Sequence, residues 1–188
     1  CGEFDNVHPT DKRTPGERLA ECALRQIYGL DDVPVYGPTV LGFRCDENGH
    51  VCLFFRYAHG LHFEGVTPDD TDDDFVDQLP SLVRNAERSG FELAGVDGMF
   101  HPATAAIFVD CDIEDLVNAK INVVDYNATE FGIPINSRSI GTITLATSEV
   151  PKPVTLRYAW HSWGPAPLFN SDDLPAQPFR LDLTDRED

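Results

Sequence analysis

From residue 33 onward, short segments with apolar residues at every second position alternate with clusters of turn-forming residues. A period of two places apolar side chains on one face of a β-strand and polar side chains on the other. Several such segments joined by regular turns are typical of an antiparallel β-sandwich. We therefore predict a mainly β module. Its six predicted strands span residues 40–45, 50–57, 91–96, 103–109, 141–147 and 154–160.

Two glycine-containing turns predict how neighbouring strands are joined. Asn48-Gly49 lies between the first two segments and predicts a two-residue type I′ hairpin, and Asp97-Gly98 predicts a second hairpin. In the first hairpin Cys45 and Cys52 would lie directly opposite each other, about 5.5 Å apart at their α-carbons, which permits a disulfide. Two reduced, half-buried thiols are the alternative, which we slightly favour because these residues do not identify the compartment.

One amphipathic helix is predicted before the β module, over residues 15–28. Thr14 is the expected N-cap, Pro15 the first helical residue, and Glu17 completes a capping box. We expect the apolar face to be at least partly exposed, since too little chain precedes the helix to supply a partner. That face consists of Leu19, Ala20, Ala23, Leu24 and Ile27.

The charge balance restricts the partners of this chain. Fourteen Lys and Arg against 32 Asp and Glu leave a net charge of −18. Nucleic acid and anionic membrane surfaces would be repelled, so we expect neither as a partner. No apolar run approaches the ~18 residues of a membrane span. The chain begins at Cys1, with no signal peptide, and we expect it to be a fragment or a processed chain.

Two segments do not follow the strand pattern and are predicted insertions. Residues 67–89 begin with an Asp-rich run and continue into a predicted helix over residues 75–88. The run lacks the central glycine of a calcium loop, so we expect a solvated insertion and no metal site. Residues 110–139 are the second insertion and contain the glycosylation sequon at Asn127. The five cysteines form no C-x-x-C pair, which argues against structural zinc.

The segment before the helix contains the candidate catalytic residues. His8 follows Asp5 by three positions, on a predicted loop that leads into the helix. This arrangement is typical of the last block of SGNH-type serine hydrolases, in which the imidazole accepts the proton of the attacking serine and an acid orients the ring. An Asp-x-x-His alone is common by chance, so the motif needs context. Asp11 is a weaker candidate, because it lies beyond Pro9.

Four blocks in order supply that context. Residues 7–14 with 16–20 resemble the I-H-P-x-x-K … G-E-R-L-A stretch of the sialate O-acetylesterases. Residues 90–100 resemble their G-F-E-I-A-G-x-D-G-x-F hairpin, and residues 156–160 their V-R-Y-A-W. Residues 167–170 with 174–180 resemble N-L-Y-N … G-L-P-A-x-P-F-R. The blocks span most of the chain and are far more specific together than singly.

The resemblance implies a carboxylic ester hydrolase that removes O-acetyl groups from sugars, either sialic acid or another acetylated glycan, and needs no cofactor. His8 matches the catalytic histidine, whereas Asp5 matches no fixed position of the family. Residues 1–30 would be the tail of an SGNH-type α/β domain, including its last helix, and residues 31–188 the C-terminal β-sandwich. No serine here matches the family's nucleophile block, which would belong to a missing N-terminal catalytic portion. A secreted or periplasmic location is also implied.

A non-catalytic β-sandwich that binds carbohydrate or protein, with His8 incidental, is the alternative. The sequence upstream of Cys1 would separate the two hypotheses. Trp160, His161 and Trp163 are candidates for stacking on a sugar, although a tryptophan at a strand end more often packs in the core or at its rim. For Arg157 we expect a structural ion pair rather than a substrate clamp.

Overall fold

The computed structural model describes residues 4–65, 82–83, 85–108, 122–123 and 140–184. The chain divides into two compact units, Cys1–Tyr36 and Gly37–Asp188. The first contains the helix and the candidate catalytic loop, and the second contains the strands. Each unit is described by itself.

Helix α1 spans Arg13–Gln26 and begins two residues earlier than predicted. The side chain of Asp11 accepts a hydrogen bond from the backbone N–H of Thr14 at 3.0 Å, which satisfies a donor in the first turn. The predicted capping box at Thr14 is wrong, because the N-cap is Lys12 and Thr14 lies within the first turn. Glu17 accepts a hydrogen bond from Arg13 Nε at 2.6 Å. At the other end Gly29 adopts a φ of +72°, and Leu30 N–H donates to the Leu24 carbonyl, as in a Schellman-type termination.

The apolar face of α1 is exposed, as expected. Leu19 and Ile27 have exposed fractions of 72% and 76%, and no residue of α1 is buried. Burying one large apolar side chain contributes roughly 1.5–3 kcal/mol to stability, so a partner that covered Leu19 and Ile27 would stabilise this helix. No described helix is both long enough and apolar enough to cross a bilayer.

The second unit is built from antiparallel sheets. The six-stranded sheet has the order β4-β7-β9-β2-β1-β8, the four-stranded sheet β12-β10-β5-β6, and β11 pairs with β3. The strands are β1 Thr39–Cys45, β2 Val51–Arg56, β3 His62–Phe63, β4 Leu82–Val83, β5 Phe91–Ala94, β6 Phe100–Pro102, β7 Thr104–Phe108, β8 Asn122–Val123, β9 Gly141–Ala146, β10 Thr155–Tyr158, β11 Leu168–Phe169 and β12 Phe179–Asp182.

The two larger sheets share one hydrophobic core. Leu53 and Ile143 of the six-stranded sheet belong to the same buried cluster as Leu93 and Leu156 of the four-stranded sheet. This arrangement confirms the predicted mainly β, antiparallel module preceded by one helix.

The first hairpin has a different turn from the one predicted. Asp46 N–H bonds to the His50 carbonyl, so three residues form the loop, and Gly49 has a φ of +83°. Cys45 therefore pairs with Val51 rather than with Cys52. A shift of one residue directs the two thiols to opposite faces of the sheet. The geometry proposed for a disulfide is thus absent, and the two cysteines are not disulfide-bonded.

The second predicted hairpin is shorter than expected. Strand β5 pairs with β6 across the turn at residues 95–99, and the chain then crosses at Ala103 into β7 of the other sheet. The predicted helix over 75–88 is wrong in its described part, where β4 pairs with β7 and Ala86–Arg88 form one 3-10 turn. The Asp-rich run, the sequon and the rest of both insertions lie outside the described residues.

Candidate functional site

His8 lies on an exposed loop just before α1. Its backbone N–H donates to the side-chain oxygen of Asn6 at 2.9 Å, a local turn of the kind that asparagine favours. The imidazole ring makes no hydrogen bond with the described residues. The ring is therefore accessible for proton transfer and has no structural task in the described part of the chain.

The two carboxylates near His8 differ in their surroundings. Asp11 accepts the Thr14 N–H, and this hydrogen bond holds the pKa of Asp11 below its ordinary value. Asp11 is thus engaged at the start of α1. Asp5 lies on the exposed loop with His8, but within residues 4–65 no hydrogen bond joins its carboxylate to the His8 ring. His8 and Asp5 thus lie on the same loop, but no hydrogen bond connects their side chains.

No described serine forms a catalytic pair. Ser89 is fully buried. Its hydroxyl oxygen lies 2.7 Å from the Ala103 carbonyl oxygen and 2.9 Å from that of Ala86 and accepts from Phe91 N–H, so its role is structural. Across the described ranges no serine hydroxyl is hydrogen-bonded to a histidine ring. In the same ranges no three potential metal ligands cluster in a way that would hold an ion.

A second polar cluster lies on the four-stranded sheet. Glu92 on β5 pairs with Arg157 on β10 through two hydrogen bonds, 2.7 Å from Nε and 3.0 Å from Nη2. His161 Nε2 lies 3.1 Å from Glu92 Oε2. Only 15% of the Glu92 side chain and 19% of the Arg157 side chain are exposed. The structural ion pair expected for Arg157 is confirmed.

The charges in this cluster compensate one another. Burial alone would raise the pKa of Glu92, but the hydrogen bonds and positive charge of Arg157, with a smaller contribution from His161, hold the pKa below its ordinary value. The Arg157 guanidinium also lies over the Phe100 ring, 3.8 Å from its centre, in a cation–π contact. Arg157 is consequently held both by the Glu92 carboxylate and by the Phe100 ring.

The tryptophans beside this cluster lie at the surface. Trp160 and Trp163 are each about half-exposed, so neither is a core residue. The hydrogen bond between His161 and Glu92 was not predicted from the sequence. The sequence did place Glu92 and Arg157 at outward-facing positions of two predicted strands. That these two strands are neighbours could not be known without the order of strands in the sheet.

Comparisons with known proteins found similarity to solved structures. Neither a protein-family model nor a curated protein matches the chain. The structure is similar to the crystal structure of XAC1771, a carbohydrate acetylesterase from Xanthomonas citri, with a TM-score of 0.59 and 27% sequence identity. The match covers 95% of this chain and 30% of XAC1771. The present chain therefore spans less than a third of that protein's length.

Proposed function

We propose that this chain is the C-terminal part of a carbohydrate O-acetylesterase and carries its catalytic histidine, His8. The similarity to the carbohydrate acetylesterase XAC1771 over 95% of the chain carries this proposal. The four sequence blocks that resemble the sialate O-acetylesterases support it independently. We call the longer protein that would contain this chain the parent protein.

In this proposal His8 acts as the general base and then as the general acid. It takes the proton of a serine hydroxyl as the serine oxygen attacks the acetyl carbonyl, and it returns the proton to the departing sugar oxygen. Water repeats the sequence, releasing acetate and regenerating the serine. The exposed ring of His8, without a hydrogen bond to the described residues, suits this role. The serine and the oxyanion donors would come from the N-terminal part of the parent protein.

The proposed substrate is an acetylated sugar. The net charge of −18 favours a neutral acetylated glycan over an acetylated sialic acid, because a carboxylate would be repelled unless the pocket were locally basic. Helix α1 would be the last helix of the hydrolase domain in this proposal. Its exposed face, with Leu19 and Ile27, would pack on that domain.

The 188-residue chain alone should not hydrolyse p-nitrophenyl acetate faster than an equal concentration of imidazole. A general base without its nucleophile and oxyanion donors retains little of the rate, because these groups act as a unit. The measurement is the initial rate of p-nitrophenolate release, with the parent protein as the positive control. Turnover by the isolated chain that survives His8→Ala would reveal a nucleophile within these residues and contradict the proposal.

A further inference from the structure

A small cavity lies beside the Glu92–Arg157 pair, between the four-stranded sheet and the segment 161–165. Its volume is about 260 Å³, below the roughly 300–1,000 Å³ of pockets for drug-sized ligands. Gly90 defines its shape: with a φ of +76°, a β-carbon there would come within 2.8 Å of the Pro165 carbonyl oxygen. The close approach of these two backbones holds the segment over the start of β5. This volume suits a ligand no larger than about one sugar ring.

The lining of this cavity combines apolar residues with residues that carry hydrogen-bond acceptors. Pro102 and Pro165 supply apolar surface, whereas the Phe91 side chain is fully buried beneath the cavity. Glu87 and His161 are polar residues of the lining. Apolar floors with a few placed polar groups are the usual composition of small-molecule sites.

Glu92 determines what His161 offers to a ligand. A carboxylate only accepts hydrogen bonds, so the Nε2 atom of His161, 3.1 Å from Glu92, carries the hydrogen. In the neutral ring Nδ1 is then an acceptor, and it has no partner among the described residues. The His161 side chain is 54% exposed, which leaves this nitrogen accessible. Glu92 itself is already occupied by Arg157.

We propose that this cavity, lined by Pro102, Pro165, Glu87 and His161, binds a single neutral sugar unit. Sugar hydroxyls are donors for the acceptors on Glu87 and His161. The C–H face of a pyranose suits the apolar surface of Pro102 and Pro165. An anionic sugar would meet the Glu87 carboxylate in a chain of net charge −18. The site uses residues of the second unit alone, so it does not depend on the proposed ester hydrolysis.

The test is a ¹H–¹⁵N titration of the 188-residue chain with the methyl glycosides of xylose, glucose and galactose. At least one should shift the Gly90 and Glu92 amide resonances, with a dissociation constant on the order of 1 mM, because one ring makes few contacts. His161→Ala should weaken that binding about fivefold to tenfold, the effect of one lost hydrogen bond. Ala86 also lines the cavity, so Ala86→Leu, which enlarges this side chain while keeping His161, should weaken binding too. His59→Ala, an exposed histidine of the same unit, is the matched control and should bind as the wild type does.

Three results would overturn the site. The first is that no neutral glycoside shifts these resonances up to tens of millimolar. The second is that wild-type and His161→Ala chains bind with equal affinity. The third is that D-glucosamine or D-glucuronate binds there while the neutral glycosides do not, which would assign the cavity to a charged ligand.

Discussion

At the scale of single residues, similar side chains have different tasks because of their immediate neighbours. Asp11 accepts a backbone N–H at the start of α1, whereas Asp5 remains exposed on the His8 loop. Glu92 is held by Arg157 and His161, whereas the Glu87 side chain is exposed. The nearest donor, rather than the residue type, determines each carboxylate's role.

Asp5 should contribute less to catalysis in the parent protein than His8 does. We expect Asp5→Ala to lower kcat by a factor about 10² smaller than His8→Ala does, because an orienting acid supports the proton transfer without performing it. Steady-state rates on an acetylated glycan measure the difference. Asp32→Ala, an exposed acid of the same unit, is the control. Equal losses for Asp5→Ala and Asp32→Ala would remove Asp5 from the site.

Glu92→Gln should destabilise the second unit by about 2 kcal/mol at neutral pH, because it leaves the mostly buried Arg157 without its charged acceptor. Since folding lowers the pKa of Glu92 from its ordinary 4.5, this stabilisation is fully present above about pH 4.5 and is lost as pH falls through the folded-state pKa. The advantage of the wild type over the variant should therefore shrink in acid. Urea unfolding at several pH values measures it, with Glu87→Gln as the control.

At the scale of secondary-structure elements, two glycines with similar backbone conformations have different surroundings. Gly49, in the β1–β2 loop, has a φ of +83°, and a β-carbon there would come within 2.2 Å of the Pro151 carbonyl oxygen. Gly98, in the β5–β6 loop, has a φ of +71° and nothing within 4 Å of that position. Conformation alone constrains Gly98, whereas both conformation and packing constrain Gly49.

Gly49→Ala should therefore cost more stability than Gly98→Ala. We expect about 1 kcal/mol for Gly98→Ala, from the left-handed backbone alone, and about 3 kcal/mol for Gly49→Ala, where a steric conflict adds to it. Tryptophan fluorescence during urea unfolding reports on the second unit, since Trp160 and Trp163 are the only two tryptophans. Similar losses for both variants would contradict the packing of Pro151 against the loop.

Local patterns predicted strand positions better than strand partners. Alternation located β1, β2, β5, β9 and β10 to within a few residues, because burial of one face is a property of each segment. The hairpin at Asp97-Gly98 is present, but its second strand is β6 rather than the predicted segment 103–109. The chain crosses between the sheets at Ala103, and this crossing depends on contacts distant in sequence. The one-residue error in the first turn likewise reversed the orientation of Cys52 relative to Cys45.

At the scale of the whole molecule, the sequence identified candidate groups but not their geometry. His8 was predicted from its motif and context, and the structure gives it an exposed loop position. The cluster of Glu92, Arg157 and His161 was not predicted as a unit, because it joins two strands separated by 65 residues and a surface segment. Groups assembled across a sheet become visible only when the strand order is known.

The central claim is that His8 performs proton transfer in an ester hydrolysis. The most direct measurement is kcat of the parent protein on an O-acetylated glycan, with His8→Ala compared against His59→Ala. We predict that His8→Ala lowers kcat by several orders of magnitude, on the scale of removing a triad member, while His59→Ala leaves it unchanged. Wild-type kcat in the His8→Ala parent protein would contradict the claim.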